Sequence, residues 1–157
     1  MPSLHELLQK ADFYKTKISS SRPLAKEELE SLDDYFRIGF TYSSNALEGN
    51  SLTISETKIL LEDGITVGGR PLKDCYEAVG HGAAYDFMLT LAKQQNLNIT
   101  EDIIRNLHRL FYQKVNADQA GSYRTIQVYI SGTEYLPPAP DDVPRLMKHL
   151  TDQIHFS

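Results

Sequence analysis

With 157 residues and 41% hydrophobic content, the chain has apolar material for one core and is too short to require two. A net charge of -5, with 16 basic residues scattered along the length, gives a nucleic-acid partner no electrostatic support. No apolar run long enough for a membrane span and no basic-then-apolar leader is present, and the lone Cys75 fits a reducing compartment, so a cytoplasmic protein without a membrane partner is expected.

In chain order, Ser3 and Glu6 make a Ser-x-x-Glu capping box ahead of Leu4, Leu7, Leu8, Ala11, Tyr14 and Ile18, which mark one helical face ending at Ser19, Ser20 and Ser21. Pro23 opens a second, longer helix whose early Glu27, Glu28 and Glu30 suit the positive end of its dipole. Along it Leu29, Leu32, Phe36, Phe40, Ser43 and Leu47 recur at spacings of three and four, which predicts one buried stripe. Gly49 is the natural left-handed stop. Glu48 then carries the wrong charge for its place, because the carbonyls at a helix C-terminus already concentrate negative charge and an acid there costs a few tenths of a kcal/mol.

Thr53 and Glu56 form a second capping box, leading a short helix through Ile59, Leu60 and Leu61 to Gly64. A turn follows to Pro71, and its Gly68-Gly69 pair does not satisfy the spacing of a phosphate loop. From Pro71 to Gln95, Ala78, His81, Tyr85, Met88, Leu89 and Ala92 repeat at helical spacing, while Gly80 and Gly82 predict a close neighbouring helix. Thr100 caps the next helix, with Ile103, Ile104, Leu107, Leu110, Phe111 and Val115 expected inside. Between Tyr123 and Leu136, alternation of Ile126, Val128 and Ile130 against Thr125, Gln127 and Tyr129 around Ser131-Gly132 predicts a lone β-hairpin with a free edge. After Pro137, Pro138 and Pro140, Asp141 or Asp142 is expected to cap a last helix with Leu146, Met147, Leu150 and Ile154 buried. The fold class is mainly α with one hairpin.

No reactive constellation stands out. His5, His81, His108, His149 and His155 have no metal-ligand spacing, and neither a Gly-x-Ser-x-Gly elbow nor a carboxylate pair is present, so residues alone assign no catalytic or metal position.

The stretch Ser44-Asn45-Ala46-Leu47-Glu48-Gly49-Asn50 resembles the inhibitory motif of Fic proteins, Ser/Thr-x-x-x-Glu-Gly/Asn, in the class that carries this helix ahead of the Fic core. The Gly121-Ser122-Tyr123-Arg124 turn, the strand-like Thr125 to Tyr135 and Pro137-Pro138 resemble the same family. The resemblance implies a Fic-like helical domain with a hairpin flap: residues 1–52 as N-terminal helices including the inhibitory one, and 53–157 as the front of the core, in one compact domain. It implies a protein adenylyltransferase, which moves AMP from ATP onto a protein Ser, Thr or Tyr. Ser44, Glu48 and Gly49 would be inhibitory, with Glu48 pairing an arginine of the catalytic loop away from the γ-phosphate. Ile130, Ser131, Gly132 and Thr133 would line the nucleotide; Thr125, Gln127 and Tyr129 would meet a protein substrate by strand addition; Asn50 would cap the turn or touch nucleotide. The family's catalytic loop, His-x-Phe-x-Asp/Glu-Gly-Asn-Gly/Lys-Arg, does not occur in residues 1–157. A chain truncated before that loop is expected to be inactive alone, to bind ATP and Mg²⁺ poorly, and to self-associate or exchange domains. The rival expectation is a non-catalytic helical module that recruits a peptide along the hairpin edge.

Overall fold

The structure, a computed structural model, describes residues 3–20, 22, 24–66 and 68–155. Among them run α1 (Leu4–Ser20), α2 (Lys26–Leu47), α3 (Ile54–Asp63), α4 (Leu72–Ala92), α5 (Glu101–Tyr112) and α6 (Val143–His155), the last entered through a 3-10 turn at Pro140–Asp142. Local chemistry sets most of the helix ends. Glu6 accepts from the Ser3 N–H at 2.6 Å and donates its own N–H to the Ser3 hydroxyl at 3.2 Å. Thr53 and Glu56 repeat that reciprocal pair ahead of α3, which stops at Gly64 in the left-handed region. Thr100 caps α5 by accepting from the Ile103 N–H. Ser21 and Pro23, placed by the sequence at the break between α1 and α2, lie outside the described residues.

The chain divides into two units, Met1–Phe36 and Arg37–Ser157. In the first, no residue of α1 is buried, and Leu4, Leu7, Leu8, Tyr14 and Ile18 all stand exposed. The single buried stripe expected on α2 is corrected by the structure: Leu29, Leu32, Phe36, Phe40 and Leu47 are exposed, and the buried residues are Ile38, Thr41 and Asn45. Periodicity marks the more apolar face of a helix, but burial follows the neighbours available. Here the neighbour is polar, since the Thr41 hydroxyl meets His81 Nδ1 at 3.0 Å.

In the second unit, Leu52, Leu60, Cys75 and Ala78 form the core, with Val79 against it. Helix α4 packs against α3 on one side and α5 on another, and α5 touches α6. Gly80 permits the α4–α5 approach, because a Cβ there would overlap the backbone carbonyl of Phe111. The faces predicted to be buried on α5 and α6 are covered only in part: α5 has no fully buried residue, and Leu150 and Ile154 are exposed. Asp142 serves Arg145 in an ion pair at 2.9 Å.

The β-hairpin flap is a correction. No strand is found among the described residues, and 123–136 is irregular chain with bends at Thr125-Ile126 and a turn at Ser131-Gly132. Three features displace the ladder. Pro137 and Pro138 bring no N–H to the base of the returning arm. The N–H of Tyr135 is taken locally by the Thr133 hydroxyl at 3.1 Å. The alternating Ile126, Val128 and Ile130 gain no covered face, being exposed throughout, and β-branched residues favour strands chiefly where one face packs. No helix among the described residues is long and apolar enough to cross a membrane.

Candidate functional site

The C-terminus of α2 is built as a Schellman motif. Gly49 takes φ 86°, its N–H bonds the Ala46 carbonyl at 3.1 Å, and the Asn50 N–H returns to the Asn45 carbonyl at 3.0 Å. Only glycine adopts that φ without strain, which explains the Glu-Gly order. Beyond it the chain is fastened to the start of α4. The Asn50 carboxamide donates to the Asp74 carbonyl at 3.0 Å and to the Glu77 carboxylate at 3.1 Å, and accepts from the Leu52 N–H. The Asp74 carboxylate accepts from the Ser51 N–H at 2.8 Å and the Ser51 hydroxyl at 2.6 Å. Those two bonds hold the Asp74 carboxyl below the usual carboxylate range, the hydroxyl contributing most.

Before the turn, α2 is fixed to α4 as well. Arg37 reaches Asp86 with two bonds, at 2.7 and 2.9 Å, and His81 sits edge-on between Phe40 and Phe111. Burial pushes the His81 imidazole down, which favours the neutral ring. Asn45, 5% exposed, keeps a buried Nδ2 with no acceptor.

Glu48 therefore occupies a turn restrained on both sides, while its own side chain is exposed and makes no hydrogen bond or ion pair among the described residues. Ser44, one turn earlier, is half-buried and Gly49 is exposed. The donors of Asn50 are spent on α4. Sequence reasoning missed Asp74, Glu77 and Arg37, the groups that immobilise the turn. The only available signal was Asp74 in the first turn of α4, where an acid is expected for the dipole alone.

The second group lies in 125–133. Thr125, Tyr129, Ile130, Ser131, Gly132 and Thr133 are exposed, Gly132 with φ 80° at the turn, whereas Gln127 is half-buried with its carboxamide bonded inside the loop. The entry to this loop is fixed on α5. Gly121 donates its N–H to His108 Nδ1 at 3.0 Å and accepts from Arg105 Nε at 2.8 Å, and the Arg105 guanidinium lies 5.4 Å over the Tyr123 ring. Burial, with the Glu101 carboxylate nearby, pushes the Tyr123 phenol up to about 12. None of the described bonds or ring contacts joins this loop to the end of α2.

The sequence model of the Fic/DOC family matches residues 98–157. Protein adenylyltransferase Fic of Nematostella vectensis is 32% identical over 151 residues, which cover 94% of this chain and 34% of that protein. Protein adenylyltransferase fic-1 of Caenorhabditis elegans is 29% identical over 117 residues, 74% of this chain and 23% of that protein. Among solved structures, a Fic domain containing signaling protein from Bacteroides thetaiotaomicron superposes with a TM-score of 0.82 at 32% identity, over 90% of this chain and 54% of that one. Fic-1 of C. elegans gives a TM-score of 0.80 at 22% identity, over 96% and 43%, a likeness of fold. The chain thus spans about a quarter to a third of the length of the curated relatives it matches.

Proposed function

The chain belongs to the Fic/DOC family, and from that premise we propose that it supplies the inhibitory helix and the front of the core of a protein adenylyltransferase, which moves AMP from ATP to a protein hydroxyl. The observation that carries the inhibitory reading is Glu48: an acid placed against the helix dipole, in a turn held through Gly49, Asn50 and Ser51, with its carboxylate unpaired among the described residues. Local economy would remove such a charge, and an external guanidinium gives it a purpose. That guanidinium is an arginine of the family's catalytic loop, which residues 1–157 do not contain.

Among the described residues no group of three His, Cys, Asp or Glu side chains is placed to hold a metal ion. The exposed tip at Ile130, Ser131, Gly132 and Thr133 would form one wall of a nucleotide site. No step of transfer is assigned to these residues.

The test is Glu48→Gly in a chain extended to the length of its relatives and carrying the catalytic loop. Removing a partly shielded charge pair of about 2–4 kcal/mol raises AMP transfer to protein roughly 30- to 1,000-fold. An unchanged rate rejects the inhibitory assignment. A second reading, a non-catalytic module that recruits a peptide, is favoured by one observation: the loop exposes Ile126, Tyr129, Ile130, Tyr135 and Leu136 together. Absence of any AMP transfer by the extended chain, with peptide binding retained, would select it.

A further inference from the structure

The loop between Arg124 and Pro138 doubles back without a β ladder, so something else must hold its two arms together. Side chains do it. Arg124 Nη2 donates to the Pro138 carbonyl, and Gln127 Nε2 donates to the Pro137 carbonyl at 3.0 Å and to the Val128 carbonyl at 3.1 Å. The two far-arm carbonyls, of Pro137 and Pro138, belong to residues that cannot enter a ladder as donors, and Pro137 itself is buried. One donor comes from a planar guanidinium whose other terminal nitrogen, Nη1, is enclosed with no acceptor among the described residues. Arg124 as a whole is half-buried, and its planar fork spends Nη2 on the far arm while Nη1 is enclosed.

We propose that Arg124 and Gln127 are positioning residues: they clasp the arms of the 125–136 loop at its base and thereby set the register in which the loop's exposed backbone meets a target segment. The functional half of this rests on the adenylyltransferase reading; the clasp does not. The anchoring side is rigid, because Gly121 and Tyr123 are fixed to Arg105 and His108 of α5 immediately before Arg124. The far arm accepts the two cross-arm bonds through its proline carbonyls. Thr125 and Tyr129, flanking Gln127, stay exposed, so clasping leaves their backbone open for a guest strand.

Gln127→Glu is nearly isosteric and deletes the donor, setting a carboxylate against two carbonyl oxygens. In this chain, chymotryptic cleavage after Tyr129 and Tyr135 is expected to accelerate about tenfold with the melting temperature unchanged. Arg124→Lys, which keeps the charge and loses the planar fork, is expected to accelerate it severalfold. Equal cleavage rates in folded wild type and both variants overturn the clasp. In the extended chain, Gln127→Glu is expected to raise KM for the protein target about tenfold while KM for ATP and kcat stay within twofold; an unchanged target KM, or an equal rise in both KM values, overturns the register role. If the extended wild type transfers no AMP at all, the adenylyltransferase reading fails while the cleavage result still decides the clasp.

Discussion

Residues 3–36 and 37–155 are both mostly helical, yet among the described residues only those of the second region are buried. Helix α1 carries a cleaner apolar repeat than α4, and none of it is buried; α4 interrupts its repeat with Gly80, Gly82 and Asp74, and those are among the buried residues. The difference teaches that amphipathic spacing is sufficient for a helix and insufficient for a core. A core requires that another element come close, and closeness here is purchased by small residues and by polar groups with fixed partners.

Gly80→Ala strikes that closeness hardest. Alanine in a helix interior gains up to about 1 kcal/mol over glycine. The added Cβ, however, would stand 2.8 Å from the Phe111 carbonyl carbon and 3.0 Å from its Cα, and backbone cannot yield as a side chain can. Overpacking of this kind costs about 3 kcal/mol or more, so a net loss of about 2–3 kcal/mol is expected in urea denaturation. Gly82 is the control. Its Cβ would meet the movable end of Leu61 at 2.9 Å and the Arg37 guanidinium at 3.3 Å, which has to give by only a few tenths of an ångström, so Gly82→Ala should stay within about 1 kcal/mol of wild type. Equal losses in the two variants would mean that α4 and α5 are not held at the observed distance.

Next in size is Asp74→Asn, which weakens two charge-assisted bonds to Ser51 and is expected to cost about 2 kcal/mol at neutral pH. Its pH signature has a definite sign. The folded carboxyl titrates below its unfolded value, so its contribution is complete above the ordinary Asp range near 4 and disappears as pH falls through the lowered folded value. Wild type should therefore lose stability on that acid limb, and the Asn variant should show a flatter one. Glu56 adds to the same limb, because Arg70 and the Thr53 N–H lower it to about 2. Identical acid limbs in wild type and the Asn variant would remove Asp74 from the account. The variant also frees the chain after Glu48, which ties stability to the candidate site.

What was legible follows the range of the interaction. The caps at Ser3, Thr53 and Thr100, the stops at Gly49 and Gly64, and the odd charge of Glu48 depend on residues within four positions of each other, and sequence reading found them. The anchors of the Glu48 turn did not emerge, because Asn50 and Ser51 find Asp74 and Glu77 at separations of 23 to 27 residues. Local preference misled at the loop. Strand-forming residues from 125 to 130 had no face to pack on, and short side-chain bonds from Gln127 and Thr133 took backbone groups a ladder would have needed. On α2 the preference for large apolar residues hid Thr41 and Asn45, two of the three residues that are buried.

The smallest expected effect tests the other half of the comparison. Leu8 lies in the apolar repeat of α1 but is more than half exposed, whereas Leu60 is 6% exposed in the core. Leu8→Gln keeps a side chain unbranched at Cβ and of good helix propensity and removes little buried area, so stability in urea should move by less than about 0.5 kcal/mol. Leu60→Ala, as the reference, removes buried methyl groups and leaves a cavity worth about 2–4 kcal/mol. A loss above about 1 kcal/mol for Leu8→Gln would mean that the α1 stripe is covered in solution, and the contrast drawn between the exposed α1 and the buried face of α4 would then have to be withdrawn.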